Sequence, residues 1–343
     1  MNWTRFITYE SYPQVVTYRD LGGTLLTQAQ HDTVGAAAVA ACDVVGSMHH
    51  LGYVLDPAQC RYDPTLDTAV LCTAAGGTNT TPGCVNAAQA QAFNKMWYGM
   101  TPDGSVPSPA VDNGFGIATA PNQRWFGLTR GTMLTRLAGA TPFTTSTDLV
   151  ALELEDPTIA LPTFVNATKG NGATGYKNLT YAQLDQAFSQ GLAFQPLWGN
   201  INTDNPDLSA FRKRGGKLLS YHGLADVLVP PAGTLHYYHR AADQMGGIPS
   251  MQDFYRLYLV PGMQHGFDNG SAVANANPPL PNIDLLYVML TNWVEKGIAP
   301  PSSVDLSSSG AISPVKTRPM CLYPLKVQFN AGDPNLAGSY ACK

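Results

Sequence analysis

Hydrophobic and polar positions are arranged in two different ways along this chain. Between residue 22 and about residue 200, Gly, Thr, Asn and Pro interrupt the apolar pattern, and only two stretches keep helical spacing. One is the alanine-rich segment 32–45; the other is 86–98, where Ala90, Phe93, Met96 and Trp97 recur on one face. Segments 76–83 and 166–177 concentrate turn formers and hold little that could enter a core, so this region is predicted to consist of long, braced loops around two helices. After about residue 205 the pattern tightens into alternating strand and helix. A short strand at 217–221 (KLLSY) follows Gly215 and Gly216, and a helix at 232–245 stops at Gly246 and Gly247. A second strand at 254–260 (FYRLYLV) is aromatic at its start and aliphatic at its end. The helix at 282–296 places Leu286, Met289, Leu290 and Trp293 on one stripe before Gly297 and Pro300 end it. Strands alternating with helices predict an α/β fold with a parallel sheet in this part.

Composition narrows what such a chain can do. Its 343 residues suffice for one large core or two medium ones. Charged residues make up 13%, against roughly 25% in ordinary globular proteins. The formal charge of -4 leaves no basic stripe to neutralise phosphates or anionic lipid, which argues against nucleic acid and membrane surfaces as partners. The longest apolar run, 34–42, falls far short of the roughly 20 residues of a membrane span.

Cysteines stand at 42, 60, 72, 84, 321 and 342, none in a Cys-x-x-Cys pair, which favours disulfides over zinc. Nearest-neighbour pairing would close three short loops, each stabilising by about 3 kcal/mol through loss of unfolded-chain entropy; other pairings remain open. Disulfides imply an oxidising compartment, hence a secreted or periplasmic protein. The opening MNWTRFITYE has neither the charged nor the apolar region of a secretory leader, so an N-terminal stretch is expected to be missing from this sequence.

Two loops carry candidate chemistry. The first strand runs into His222, Gly223, Leu224, Ala225 and Asp226; the second runs into Pro261, Gly262, Met263, Gln264 and His265. Both loops leave the carboxyl edge of the predicted sheet, where open α/β folds bind ligands. An Asp accepting the imidazole N–H fixes the tautomer, and the other ring nitrogen then takes a proton from a nucleophile. A turn-forming Asp and a surface His are the plain alternative. No Gly-x-Ser-x-Gly occurs in the chain. Ser47, beside His49 and His50, lies off any strand-to-helix elbow and is a poor nucleophile candidate. His222 reads as structural, and His236 and His239 as one helix face without a carboxylate partner.

Segment 205–231, NPDLSAFRKRGGKLLSYHGLADVLVPP, resembles the tannase and feruloyl esterase family, whose members read close to DLSAF, GGK and YHGxAD before a Pro pair. LVPGMQHG at 259–266 is similar to the family's PGMxHC, CDVVGSMHHLGYVLDPAQC at 42–60 to its lid element with a calcium loop, and NWTRF to the stretch after its nucleophile elbow.

The resemblance implies a partial α/β-hydrolase sheet in 201–343, a disulfide-braced lid over 22–200 and a residual core segment at 1–21. It assigns Asp226 and His265 as triad acid and base, and matches the pairs Cys42–Cys60, Cys72–Cys84 and Cys321–Cys342. It implies hydrolysis of feruloyl, galloyl or related aromatic esters with no required cofactor.

Three departures matter. The family's GCSxGG motif would lie before residue 1, so the serine is expected to be absent from this chain. Gly266 replaces a cysteine that the family bridges to the residue before that serine. Asp43 is kept in the calcium loop, but Gly46 and His50 stand near where further aspartates are expected, and a hard cation needs several such oxygens. Among aromatics of the lid region, Trp97, Trp125 and Phe126 are candidates for stacking on the acyl group, although for each one packing a small core is the plainer reading. A partner chain or a second copy would cover the truncated sheet. The rival to an esterase is a noncatalytic remnant that binds a phenolic or sugar ligand, or an inactive fragment. Asn79, Asn166, Asn178 and Asn269 head glycosylation sequons.

Overall fold

The computed structural model describes residues 2–343 and opens with two short helices, α1 (Trp3–Tyr9) and α2 (Tyr12–Asp20). Their buried faces carry Phe6, Ile7, Tyr9, Tyr12, Val15 and Val16 into the same core as residues up to Phe188. Residues of α1 and α2 therefore share one core with residues drawn from 22–200.

Helices α3 (Gln28–Cys42) and α4 (Ala87–Tyr98) fall on the two periodic stretches. Both begin with a capping box, Thr27 with Gln30 and Asn86 with Gln89, in which side chain and backbone satisfy each other's free groups. The region between and beyond them is less loop-like than predicted. It contains α5 (Thr135–Ala138), α6 (Thr144–Glu153) and α7 (Tyr181–Ala193). Helix α7 has its own capping box, Thr180 with Gln183, and buries Leu184, Ala187, Phe188 and Gly191 at helical spacing. Two-residue ribbons pin the loops: β1 (Val44–Val45) with β2 (His49–His50), β3 (Gly99–Met100) with β4 (Trp125–Phe126), and β5 (Val165–Asn166) with β6 (Gly170–Asn171). Disulfides Cys42–Cys60 and Cys72–Cys84 brace this half, and Cys321–Cys342 the other.

A buried polar seam joins α1 to its neighbours. Thr8 donates to the Glu153 carboxylate at 2.8 Å, the Thr4 hydroxyl donates to Asn202 Oδ1 at 2.7 Å, and Ser11 bonds Ser146. Burial pushes the Glu153 carboxyl well above the usual range, with the Thr8 bond opposing it.

The second half contains α8 (Ser209–Lys213), β7 (Leu218–Gly223), α9 (Pro231–Gln244), α10 (Ile248–Met251), β8 (Tyr255–Val260) and α11 (Ile283–Lys296). It closes with β9 (Ser303–Ser307), β10 (Thr317–Leu322) and the hairpin β11 (Val327–Phe329) with β12 (Tyr340–Cys342). The sheet runs β7-β8-β10-β9. Only β7 and β8 are parallel; β10 is antiparallel to both its neighbours, so the parallel sheet expected from the alternation is a mixed one. Periodicity could not announce β10, because Thr317–Leu322 is buried at nearly every position and contains Pro319.

Alternate side chains of β8 enter two cores. Tyr255 and Leu257 pack against Leu235, Tyr238 and Met251 of α9 and α10, whereas Tyr258 and Val260 pack with Leu286 and Met289 of α11. Covering both faces makes β8 apolar at every position but Arg256, each large apolar side chain contributing roughly 2 kcal/mol of burial.

Candidate active site

The parallel register sets Leu218 opposite Tyr255 and Gly223 opposite Val260, so β7 and β8 end level with each other. Asp226 follows Gly223 by three residues and His265 follows Val260 by five, on adjacent loops. Those loops are bonded to each other: Leu224 N–H donates to Val260 O and Ala225 N–H to Met263 O, both at 2.9 Å. Gly223 is required here, since an added Cβ would overlap Met263 O. Gly262 turns the second loop at φ +77°, a conformation that disfavours any side chain. From the other half, Thr129 donates to Leu224 O at 2.5 Å, and Ala272 N–H to Gly131 O at 2.9 Å, which ties segment 129–131 to both loops.

Asp226 is 2% exposed, and all its acceptor capacity faces donors. Oδ1 accepts from the N–H groups of Leu228 at 2.8 Å and Val229 at 2.9 Å. Oδ2 faces His265 Nδ1 at 3.0 Å and His222 Nε2 at 3.1 Å. Burial by itself would raise this carboxyl; the bonds from His222 and His265 and the Leu228 N–H override it and hold Asp226 below the usual carboxylate range. The bond to Asp226 raises the His265 pKa, opposed by partial burial and by Arg136. The His265 side chain is 56% exposed, and its Nε2 has no hydrogen-bond partner among the described residues. Glu10, at the end of α1, adds a second buried carboxyl, pushed up to about 9 by burial and by the charge of Asp226.

Of the other residues singled out in the sequence, His222 joins this cluster: its Nδ1 meets the Thr234 hydroxyl at 2.7 Å. His236 Nδ1 bonds Ile117 O, and His239 Nε2 bonds the Tyr323 hydroxyl, so both serve packing around α9. Trp97, Trp125 and Phe126 are 2%, 1% and 0% exposed in the first core. Rings enclosed this fully have no open face on which an acyl group could stack, which corrects their candidacy as substrate contacts.

Asp43 is also a correction. Its Oδ1 lies 2.7 Å from His50 Nδ1 and its Oδ2 accepts the Gly52 N–H at 2.7 Å. Both oxygens are engaged, and no cluster of three or more His, Cys, Asp or Glu among the described residues could hold a metal; the donor set does not fit calcium.

A cavity of about 470 Å³ is lined by Ser47, Met48, His49 and Phe329, and one of about 270 Å³ by Leu152, Phe194 and Trp198. Neither includes Asp226 or His265, and no hydrogen bond links Ser47 to them among the described residues.

The sequence pattern described as "Tannase and feruloyl esterase" matches residues 1–343. The chain belongs to that family. Tannase and feruloyl esterase relatives include the "Probable feruloyl esterase" of Arthroderma benhamiae, 29% identical over 348 residues that cover 99% of this chain and 57% of the relative. The "Probable feruloyl esterase B-2" of Aspergillus terreus is 28% identical over 340 residues, covering 96% and 56%. Among solved structures, feruloyl esterase B from Aspergillus oryzae superposes with a TM-score of 0.71 at 22% identity, over 100% of this chain and 62% of that one. This likeness shows that the fold is shared. The chain spans just over half the length of these curated family relatives.

Proposed function

We propose that this chain supplies the acid and base of a carboxylic ester hydrolase acting on aromatic acid esters such as feruloyl or galloyl esters. Asp226 orients His265 through Nδ1, leaving Nε2 to accept the proton of a serine hydroxyl as that oxygen attacks the ester carbonyl. The imidazolium then returns the proton to the departing alcohol, and water repeats the cycle on the acyl-enzyme to release the acid. The serine belongs to polypeptide outside residues 1–343, a reading supported by the absence of any Gly-x-Ser-x-Gly in the sequence. Residues 22–200 act as the lid that selects the acyl group, over a hydrolase core contributed by 201–343.

One observation carries this reading: the 3.0 Å contact between Asp226 Oδ2 and His265 Nδ1 at the level ends of two parallel strands, with the opposite ring nitrogen unclaimed among the described residues. Family membership supports the reaction class. Among the described residues β7 pairs only with β8, and Ile283, Tyr287 and Val294 of α11 are exposed. An open strand edge beside apolar surface supports association there with further polypeptide, the part that would bring the serine. Three disulfides support a secreted or periplasmic protein, and no helix of the described residues is long and apolar enough to cross a membrane.

The test is an assay of the purified chain on nitrophenyl acetate. It is expected to show no enzyme-like turnover. Turnover that His265→Ala abolishes would place the nucleophile inside the chain and overturn this assignment.

A further inference from the structure

The carboxylate of Asp226 is shared by two histidines, and His222 is the one that solvent barely reaches: its side chain is 11% exposed, against 56% for His265. Its hydrogen bonds fix its proton. Nε2 faces two acceptors, Asp226 Oδ2 at 3.1 Å and Val229 O at 3.2 Å, so the N–H lies on Nε2. In the neutral ring Nδ1 is then an acceptor, filled by the Thr234 hydroxyl at 2.7 Å. Thr234 lies in the first turn of α9, whose Pro231 start holds it against the end of β7. A chain of bonds thus runs from Thr234 through His222 and Asp226 to His265, every group but the last drawn from segment 222–234.

We propose that His222 is a positioning residue which, held by Thr234, shares Asp226 Oδ2 with His265 and so limits how strongly His265 retains its proton. The inference rests on the reading of Asp226 and His265 as acid and base. The physical reason is competition for one oxygen. A carboxylate that already accepts from Leu228, Val229 and His222 has less negative charge to offer His265 than one accepting fewer bonds. A general base works best when its proton affinity lies near the working pH, and a buried carboxylate serving a single imidazole would overshoot. The remaining charged groups around the pair are few. Arg136 on α5 lowers the proton affinity of His265, Glu10 bears on Asp226, and Asp268 lies in the His265 loop beside Gly266. Among the described residues only His222 is bonded to the oxygen that serves His265.

The experiment is an NMR titration of the histidine ring protons in the whole chain, with His265→Ala assigning its resonance among the seven histidines. His222→Phe removes the competing donor and is expected to raise the His265 midpoint by about half a pH unit, roughly three-fold in proton affinity. His222→Gln keeps an N–H for Asp226 and is expected to stay near the native midpoint. Thr234→Val, which releases the ring, should move the midpoint the same way by less, and Thr234→Ser should restore it. An unmoved His265 midpoint in folded His222→Phe overturns the proposal. If that variant does not fold, an unmoved midpoint in Thr234→Val overturns it instead. Ester turnover is scored separately, on the chain combined with a polypeptide carrying the family's nucleophile segment: a shifted midpoint with no turnover there sinks the esterase reading alone, and turnover there with an unmoved midpoint in the isolated chain sinks the tuning alone.

Discussion

Replacing Glu10 by Gln should stabilise the protein, and by an amount that depends on pH in a defined way. Glu10 is 1% exposed, and its Oε2 has no hydrogen-bond partner. Its carboxyl is pushed up to about 9 by burial, with the charge of Asp226 adding to the effect. A folded value above the unfolded one means that the native state holds a proton the unfolded state has released. The stabilisation is therefore complete at acid pH and declines as pH rises, until the folded group also ionises near 9. Each pH unit in that window costs about 1.4 kcal/mol, so about 3 kcal/mol has been lost by pH 7, counting from an unfolded value near 4.5. Gln has nearly the same shape and cannot ionise. Glu10→Gln should melt with the native protein at pH 4 and several degrees above it at pH 8, with the gap widening steadily between. Thermal melts of both proteins across that range provide the assay. A gap that stays constant with pH, or closes as pH rises, would refute the argument.

Trp125→Ala should act on stability, costing about 3–5 kcal/mol through the cavity it leaves, because the ring is 1% exposed; chemical denaturation measures this. Removal of divalent cations with a chelator should leave the melting temperature unchanged, since both oxygens of Asp43 are already engaged by His50 and Gly52. In the proposed assembly the acid limb of the pH–rate profile should lie above the ordinary histidine value of about 6.5, because the Asp226 bond raises His265 and only the deprotonated ring serves as base. A limb below that value would contradict the assignment.

Much of the site is legible in the sequence alone. Two short apolar strands, each running into a Gly-containing loop with an ionisable residue, place Asp226 and His265 on neighbouring loops once the strands pair in parallel. What the pattern cannot show is that His222 turns toward the same carboxylate. Its position in β7 reads as an ordinary strand residue, and the signal that distinguishes it, Thr234 twelve residues on, becomes visible only when α9 folds back.

In the first half, α7 carries a sequence signal of its own, since Thr180 and Gln183 form a capping box ahead of a regular stripe. Helices α1 and α2 carry none, because Thr4, Thr8 and Gln14 within them and Glu10 and Ser11 in the turn between place polar groups on buried faces. Thr4, Thr8 and Ser11 are compensated by the seam with Asn202, Glu153 and Ser146 and Gln14 by Leu137 O and Gly139 O, partners far away in sequence, whereas Glu10 Oε2 has none. The aromatics of residues 22–200 take the core-packing alternative for a related reason. Exposure of a Trp or Phe in loop-rich sequence depends on how the loops are tied, and the β3–β4 ribbon ties Trp125 and Phe126 inward.

The most direct test is hydrolysis of methyl ferulate by this chain combined with a polypeptide that carries the family's nucleophile segment, comparing the native sequence with His265→Ala and Asp226→Ala. Steady turnover by the native protein is predicted, with each variant reduced by about a thousand-fold or more, the scale seen when a serine triad loses its acid or base. Turnover by either variant within ten-fold of the native rate would contradict the account.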